Sequence, residues 1–207
     1  MKNSGIKGNL FFLVVFMLVF MLGMGSFTFY SLNSTSNQAQ NDVVIVNKYI
    51  DLVDDSRNIQ VTFKKQVQAW KDILLRGLDQ SKYNTYLAEF TGYNNDVLEG
   101  LTGLKTSMVS LGIDGALVDK VSTDLDQLQV NYTNALKSYD KTNKESYKIV
   151  DTLVKGMDRA PTNDMDTLVK SIRDKSNSQI ASMNLASENK NKQLEEIGRA
   201  HVWTPVT

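Results

Sequence analysis

VNKYIDLVDDSRNIQVTFKKQVQAWKDIL, Val46 to Leu74, places Val46, Tyr49, Val53, Ser56, Gln60, Phe63, Val67, Trp70 and Leu74 at alternating steps of three and four. That 3.5-residue period keeps one helical seam facing its neighbours and predicts left-handed, knobs-into-holes packing. Two more runs continue it. One comprises Tyr83, Leu87, Phe90, Asn94, Val97, Leu101, Leu104, Met108 and Leu111. The other runs through Val118, Val121, Leu125, Leu128, Tyr132, Ala135, Tyr139, Thr142, Ser146, Ile149 and Leu153. Only 2 prolines occur in 207 residues, so long helices meet few breaks.

Turn chemistry separates the runs. Gly77-Leu78-Asp79-Gln80-Ser81 ends the first helix and offers Ser81 as an N-cap. Gly112-Ile113-Asp114-Gly115 is a tight turn with Asp114 as the capping residue. Asp158-Arg159-Ala160-Pro161-Thr162 is the last, with Thr162 to Asp164 bringing capping oxygen and negative charge to a helix over about 163–196. Met165, Leu168, Ile172, Ile180, Met183 and Leu194 are the apolar marks of that helix, and its seam is weak. Short connections predict antiparallel neighbours, so the expected class is all-α, an antiparallel long-helix bundle of four-helix type. The third helix is expected to break near Asp140 to Ser146, where its seam turns polar. The unequal helix lengths suit one bundle with uneven arms or two shorter bundles stacked.

Upstream, no Asp, Glu, Lys, Arg or His occurs between Lys7 and Asp42, and Leu10 to Tyr30 is dominated by Leu, Phe, Val and Met. About 20 apolar residues at ~1.5 Å rise cross the ~30 Å hydrocarbon core. Residues 1–9 are expected to be cytoplasmic, 10–32 a transmembrane helix and 33–196 an extracytoplasmic domain. Lys2 and Lys7 precede the span, and the first charges after it are mixed, which sets this orientation by the positive-inside bias. A cleaved signal peptide ending at Gly23 or Gly25 is the competing reading. Phe27, Phe29 and Tyr30 prolong the apolar run beyond such a site and favour an uncleaved anchor.

The end of the chain differs from what precedes it. Residues 197–207, IGRAHVWTPVT, hold the only histidine and one of the prolines. They resemble the translation of a sequencing adapter in one frame, with a TGA codon read as Trp203. The expectation is a non-native tail on a domain truncated near Glu196, and His201 is therefore not taken as a ligand.

Composition excludes several classes. Cysteine is absent, so there is no disulfide and no thiolate metal site. Setting aside Lys2, Lys7 and Arg199 leaves 20 of the 23 basic residues against 23 acidic ones, with no basic face for nucleic acid. No nucleophile elbow, Gly-rich phosphate loop or metal spacing occurs. Neither an enzyme nor a cofactor is expected.

The stretch Arg57-Asn58-Ile59-Gln60 followed by Phe63 to Gly77, with Tyr83, Tyr86 and Phe90 beyond it, resembles the first two periplasmic helices of bacterial methyl-accepting chemotaxis proteins. The resemblance covers Met1 to about Glu196 and is sharpest from Arg57 to Phe90. It implies a receptor of the bacterial inner membrane whose bulk is periplasmic, homodimeric through the helical bundle and responsive to a small molecule. The sensor region of a histidine kinase or cyclase shares this form, and a ligand-free, membrane-tethered coiled-coil protein is the rival of a different class. The ligand-binding residues expected on this reading are Arg57, Gln60, Lys64, Trp70, Lys71, Arg76, Tyr83 and Tyr86. The cations suit a carboxylate, and the aromatics near the distal turn suit an apolar wall. Each has a plainer role: a solvated helix face for the cations, core packing for Trp70, and register setting for the seam polars Ser56, Gln60 and Asn94.

Overall fold

The structure, a computed structural model, describes residues 4–202; Lys2, Trp203 and Pro205 lie outside them. It contains five helices and no strand among the described residues: α1 (Ser4–Arg76), α2 (Gln80–Ser110), α3 (Ala116–Leu136), α4 (Ser146–Val154) and α5 (Arg159–Val202). The all-α class is as expected. The apolar stretch and the first long helix are one uninterrupted helix, and α5 runs past Glu196.

Two compact units divide the chain. One is Met1–Asn47 with Leu185–Thr207 and the other is Lys48–Asn184. In the first, every side chain from Leu10 to Tyr30 is exposed, Phe12 at 78 %. This segment is long and apolar enough to cross a membrane. Further along, Lys190 Nζ donates to Gln38 Oε1 at 2.5 Å.

The second unit has one hydrophobic core, drawn from all five helices. α2 supplies Phe90, Val97, Leu101, Leu104 and Met108 on the expected seam, and α3 supplies Val118 to Ala135 on its own. In α1 the phase differs from the expectation. The buried set is Tyr49, Leu52, Ser56, Ile59, Phe63, Gln66, Ala69, Trp70, Ile73 and Leu74, so Leu52, Ile59 and Gln66 take the places expected for Val53, Gln60 and Val67, while Leu74 is buried as expected. Both choices keep the 3.5 period. Ile59 is a larger apolar side chain than Gln60, and Leu52 larger than Val53, so burial favours the earlier set.

The expected third helix is two. After Leu136 the chain leaves the α-helical path, and the polar stretch ties itself down locally. Asp140 Oδ1 accepts from the Thr142 N–H (2.8 Å) and hydroxyl (2.7 Å), while the Asp140 N–H donates to Ser146 Oγ at 2.6 Å. The interruption resets the helical phase, so Val150 and Val154 are buried in α4 whereas Ile149 and Leu153 are exposed.

Two caps also differ from expectation. Asp79, not Ser81, caps α2, its Oδ1 accepting from the N–H groups of Ser81 (2.9 Å) and Lys82 (3.1 Å). α5 begins at Arg159, ahead of Thr162, so Pro161 falls in its first turn, where an N–H has no helical partner. Thr162 Oγ1 then donates back to the Asp158 carbonyl instead of capping. Asp114 does serve the start of α3, accepting from the Ala116 N–H at 3.0 Å.

Gly112 closes α2 with φ of 70°. Its N–H donates to the Val109 carbonyl and the Ile113 N–H to the Met108 carbonyl, the paired bonds of a Schellman motif. Gly112→Ala forces a Cβ into the left-handed region and is expected to cost ~1–2 kcal/mol, measured as a lowered denaturation midpoint at unchanged slope.

Candidate functional site

The eight residues expected to bind ligand do not converge on one place. Trp70 is core, stacked on Tyr132 with ring centroids 4.2 Å apart and tilted against Phe90 at 5.6 Å. Lys64 and Lys71 are exposed on α1. Arg76, at the end of α1, donates to the Tyr86 hydroxyl at 3.0 Å and pairs with Asp72 at 3.4 Å. That hydrogen bond, with Asp72 beside it, holds the guanidinium pKa above its ordinary value.

Tyr83 belongs to an interlock of the α1–α2 turn with the α3–α4 connection. Its ring stacks on Tyr139 at 5.8 Å, and Lys141 Nζ lies 3.8 Å from its centroid. Lys141 also donates to Gln80 Oε1 at 2.8 Å, and the Tyr139 hydroxyl donates to the Leu74 carbonyl at 3.2 Å. Gly77 sits inside this cluster. A Cβ there would stand 2.2 Å from the Ile73 carbonyl oxygen and 3.2 Å from the Tyr139 hydroxyl, so the close approach requires glycine.

Of the eight, Arg57 and Gln60 line a common cleft, a groove of about 430 Å³ between α1 and α5. Val61 stands beside them on α1, and Asp166, Val169, Lys170 and Arg173 face them from α5. Within the cleft Gln60 Nε2 donates to Asp166 Oδ1 at 2.5 Å. Asp166, Lys170 and Arg173 went unnoticed in the sequence because the weak seam of α5 left its facing side undefined.

Asn94, expected as a seam polar, is buried in a polar layer whose other members, Gln66 and Gln129, sequence reasoning missed. Gln66 is 2 % exposed, and its Nε2 donates to Asn94 Oδ1 at 3.0 Å and to Gln129 Oε1 at 3.1 Å. Gln66 Oε1 is buried without a partner among the described residues. The phase Tyr49, Leu52, Ser56, Ile59 extended upward reaches Gln66, and that was the available signal.

Burial raises the pKa of the Tyr132 phenol well above the ordinary range, with Asp158 and Asp151 adding to it, and burial raises Tyr83 and Tyr139 as well. A folded pKa above the unfolded one means stability fully present below about pH 10 and lost as pH rises through the raised values. Absorbance at 295 nm is expected to show these 3 of the 8 tyrosines ionising late and together with helix loss. In denaturant all should titrate near the ordinary value, and Tyr132→Phe should shrink the late phase. At the acid end, hydrogen bonds from Lys120 hold Asp124 below its usual range, those from Thr142 hold Asp140, and those from Lys170 hold Asp174.

No family model, curated protein or solved structure matches the chain. Among the described residues the chain is all-helical, with one helix long and apolar enough to span a membrane and a helical core that carries a cleft of mixed charge between α1 and α5.

Proposed function

We propose that the chain is the membrane anchor and extracytoplasmic sensing domain of a bacterial receptor of chemoreceptor type, and not an enzyme. The observation that carries this reading is the continuity of α1 from the exposed apolar stretch into the buried core seam, with no break between Ser4 and Arg76. The proposed signal passes along this one segment, from the core toward the bilayer.

An antiparallel bundle is the arrangement that suits such coupling. Supporting it, a fall along α1 from Gln66 to Ile59 is matched by a rise along α2 from Asn94 to Gly100. Likewise, Lys105 of α2 meets Asp119 of α3 across the intervening turn, at 2.6 Å. The positive-inside bias of Lys2 and Lys7 supports placing this domain outside the cytoplasm. Homodimerisation through exposed α1 residues, which include Ile50, Val61 and Leu75, belongs to the same proposal.

A hybrid receptor tests it. Residues 1–196 are joined to the second span and signalling half of a well-behaved chemoreceptor, and kinase output is followed while small organic acids and amino acids are added outside. The expected result is a saturable change in output with at least one compound. A membrane-tethered structural protein predicts a hybrid whose output no compound moves, and that outcome would reject the sensor reading.

A further inference from the structure

We propose that α1 is a two-position element: within the helical core it turns about its own axis by roughly 50°, exchanging Leu52, Ile59 and Gln66 on the buried face for Val53, Gln60 and Val67. The proposal stands apart from the sensor reading and does not rest on it.

Three columns of side chains run along this part of α1. The middle column, Tyr49, Ser56, Phe63 and Trp70, is buried and belongs to both packings. On one flank Leu52, Ile59 and Gln66 are buried as well. On the other, Val53, Gln60 and Val67 are half-buried, and both valines already pack against the core. Each flank thus offers two aliphatic side chains and one glutamine. Adjacent columns of a seven-residue repeat over two turns lie roughly 50° apart, so one small turn exchanges the flanks. Leu52 and Ile59 each carry one methylene more than a valine, and a buried methylene weighs about fourfold in a population. The present packing is favoured roughly fifteenfold on that count, which leaves the other populated.

The polar groups do not forbid the turn. In the present packing the enclosed glutamine is unsatisfied, because Gln66 Oε1 is buried without a partner among the described residues. Turning α1 carries that oxygen to the half-buried edge and brings Gln60, now bonded to Asp166, inside. Ser56 needs nothing from a neighbouring helix: its hydroxyl donates to the Val53 carbonyl of α1 and turns with it. Packed interfaces switch between discrete arrangements and do not deform continuously, so two flanks of matched composition define two states.

The chain has no cysteine, so two introduced ones can carry nitroxide labels. Lys64→Cys on α1 and Ser171→Cys on α5, both at exposed positions, are labelled in the full chain in lipid nanodiscs, and double electron–electron resonance reads their separation. A turn of roughly 50° carries an atom at the surface of α1 through about 5 Å. The labelled parent is expected to show one main distance and a minor second one. Gln60→Leu makes the second core wholly aliphatic and should raise the second distance at least tenfold relative to the first. Adding Gln66→Leu does the same for the first core and should lower it again at least tenfold. Cooperative helix melting of each variant shows that folded chains are compared. If Gln60→Leu does not fold, Gln66→Leu alone decides, since it must abolish the second distance. One distance common to all variants, or a second that neither replacement moves, would overturn the proposal. So would Gln60→Ala, which frees Asp166 without adding apolar bulk, if it moved the ratio as far as Gln60→Leu.

Discussion

Trp70→Ala is expected to destabilise the folded chain by ~3–5 kcal/mol, the largest effect of any single truncation in α1. The indole is 3 % exposed and touches aromatic rings of two other helices, Phe90 of α2 and Tyr132 of α3. Removing it costs the transfer energy of a large apolar group and leaves a cavity that three helices line. It also strips Tyr132 of its stacking partner, and stacked aromatic pairs add ~0.5–1.5 kcal/mol beyond area. Guanidinium unfolding followed by circular dichroism measures the change, with Lys71→Ala, one residue on and exposed, expected within ~0.5 kcal/mol of the parent. A loss below about 1 kcal/mol would mean that the indole is not a core residue. It would restore Trp70 as a surface for ligand.

That contrast shows where the sequence was informative. Helix existence and the first two turns followed from the 3.5 period and from glycine and aspartate placement, and the seam of α2 was legible to the residue, whereas the last turn falls at 155–158, ahead of the expected Asp158 to Thr162. The seam of α1 was harder to phase. Its two registers differ only in whether Leu52 or Val53, and Ile59 or Gln60, face inward, and local periodicity gives both the same score. Burial decides between them, and burial depends on the neighbours. α4 failed for another reason: a phase carried from α3 does not survive the Asp140 to Ser146 connection. The groove residues of α5 were illegible because that helix is polar on most of its circumference. Facing residues on two helices, 106 positions apart for Gln60 and Asp166, become a site only when packing sets their register.

Gln66→Ala is expected to cost ~1–3 kcal/mol for each buried acceptor that it leaves without a donor. Its Nε2 serves Asn94 Oδ1 and Gln129 Oε1 together, so the truncation removes hydrogen bonds to α2 and α3 in one step. Asn94 is 6 % exposed and has little recourse to water. The double replacement Gln66→Leu with Asn94→Leu should behave differently. It removes donor and acceptor together, along with the unpartnered Gln66 Oε1, and replaces them with apolar groups of similar size. Such exchanges are near neutral or stabilising. A double-mutant cycle on these two positions therefore should show strong coupling, well above the ~0.3–0.5 kcal/mol scatter of independent sites. If the double variant gains stability, the amide layer has been kept at an energetic cost, and the physical role left for it is register. Leucines slide past one another with little penalty, whereas an amide in a seam permits one vertical alignment of α1, α2 and α3. Loss of sharp side-chain resonances or of cooperativity in that variant would show this directly. Additivity of the two single costs would show instead that the amides act independently and specify nothing.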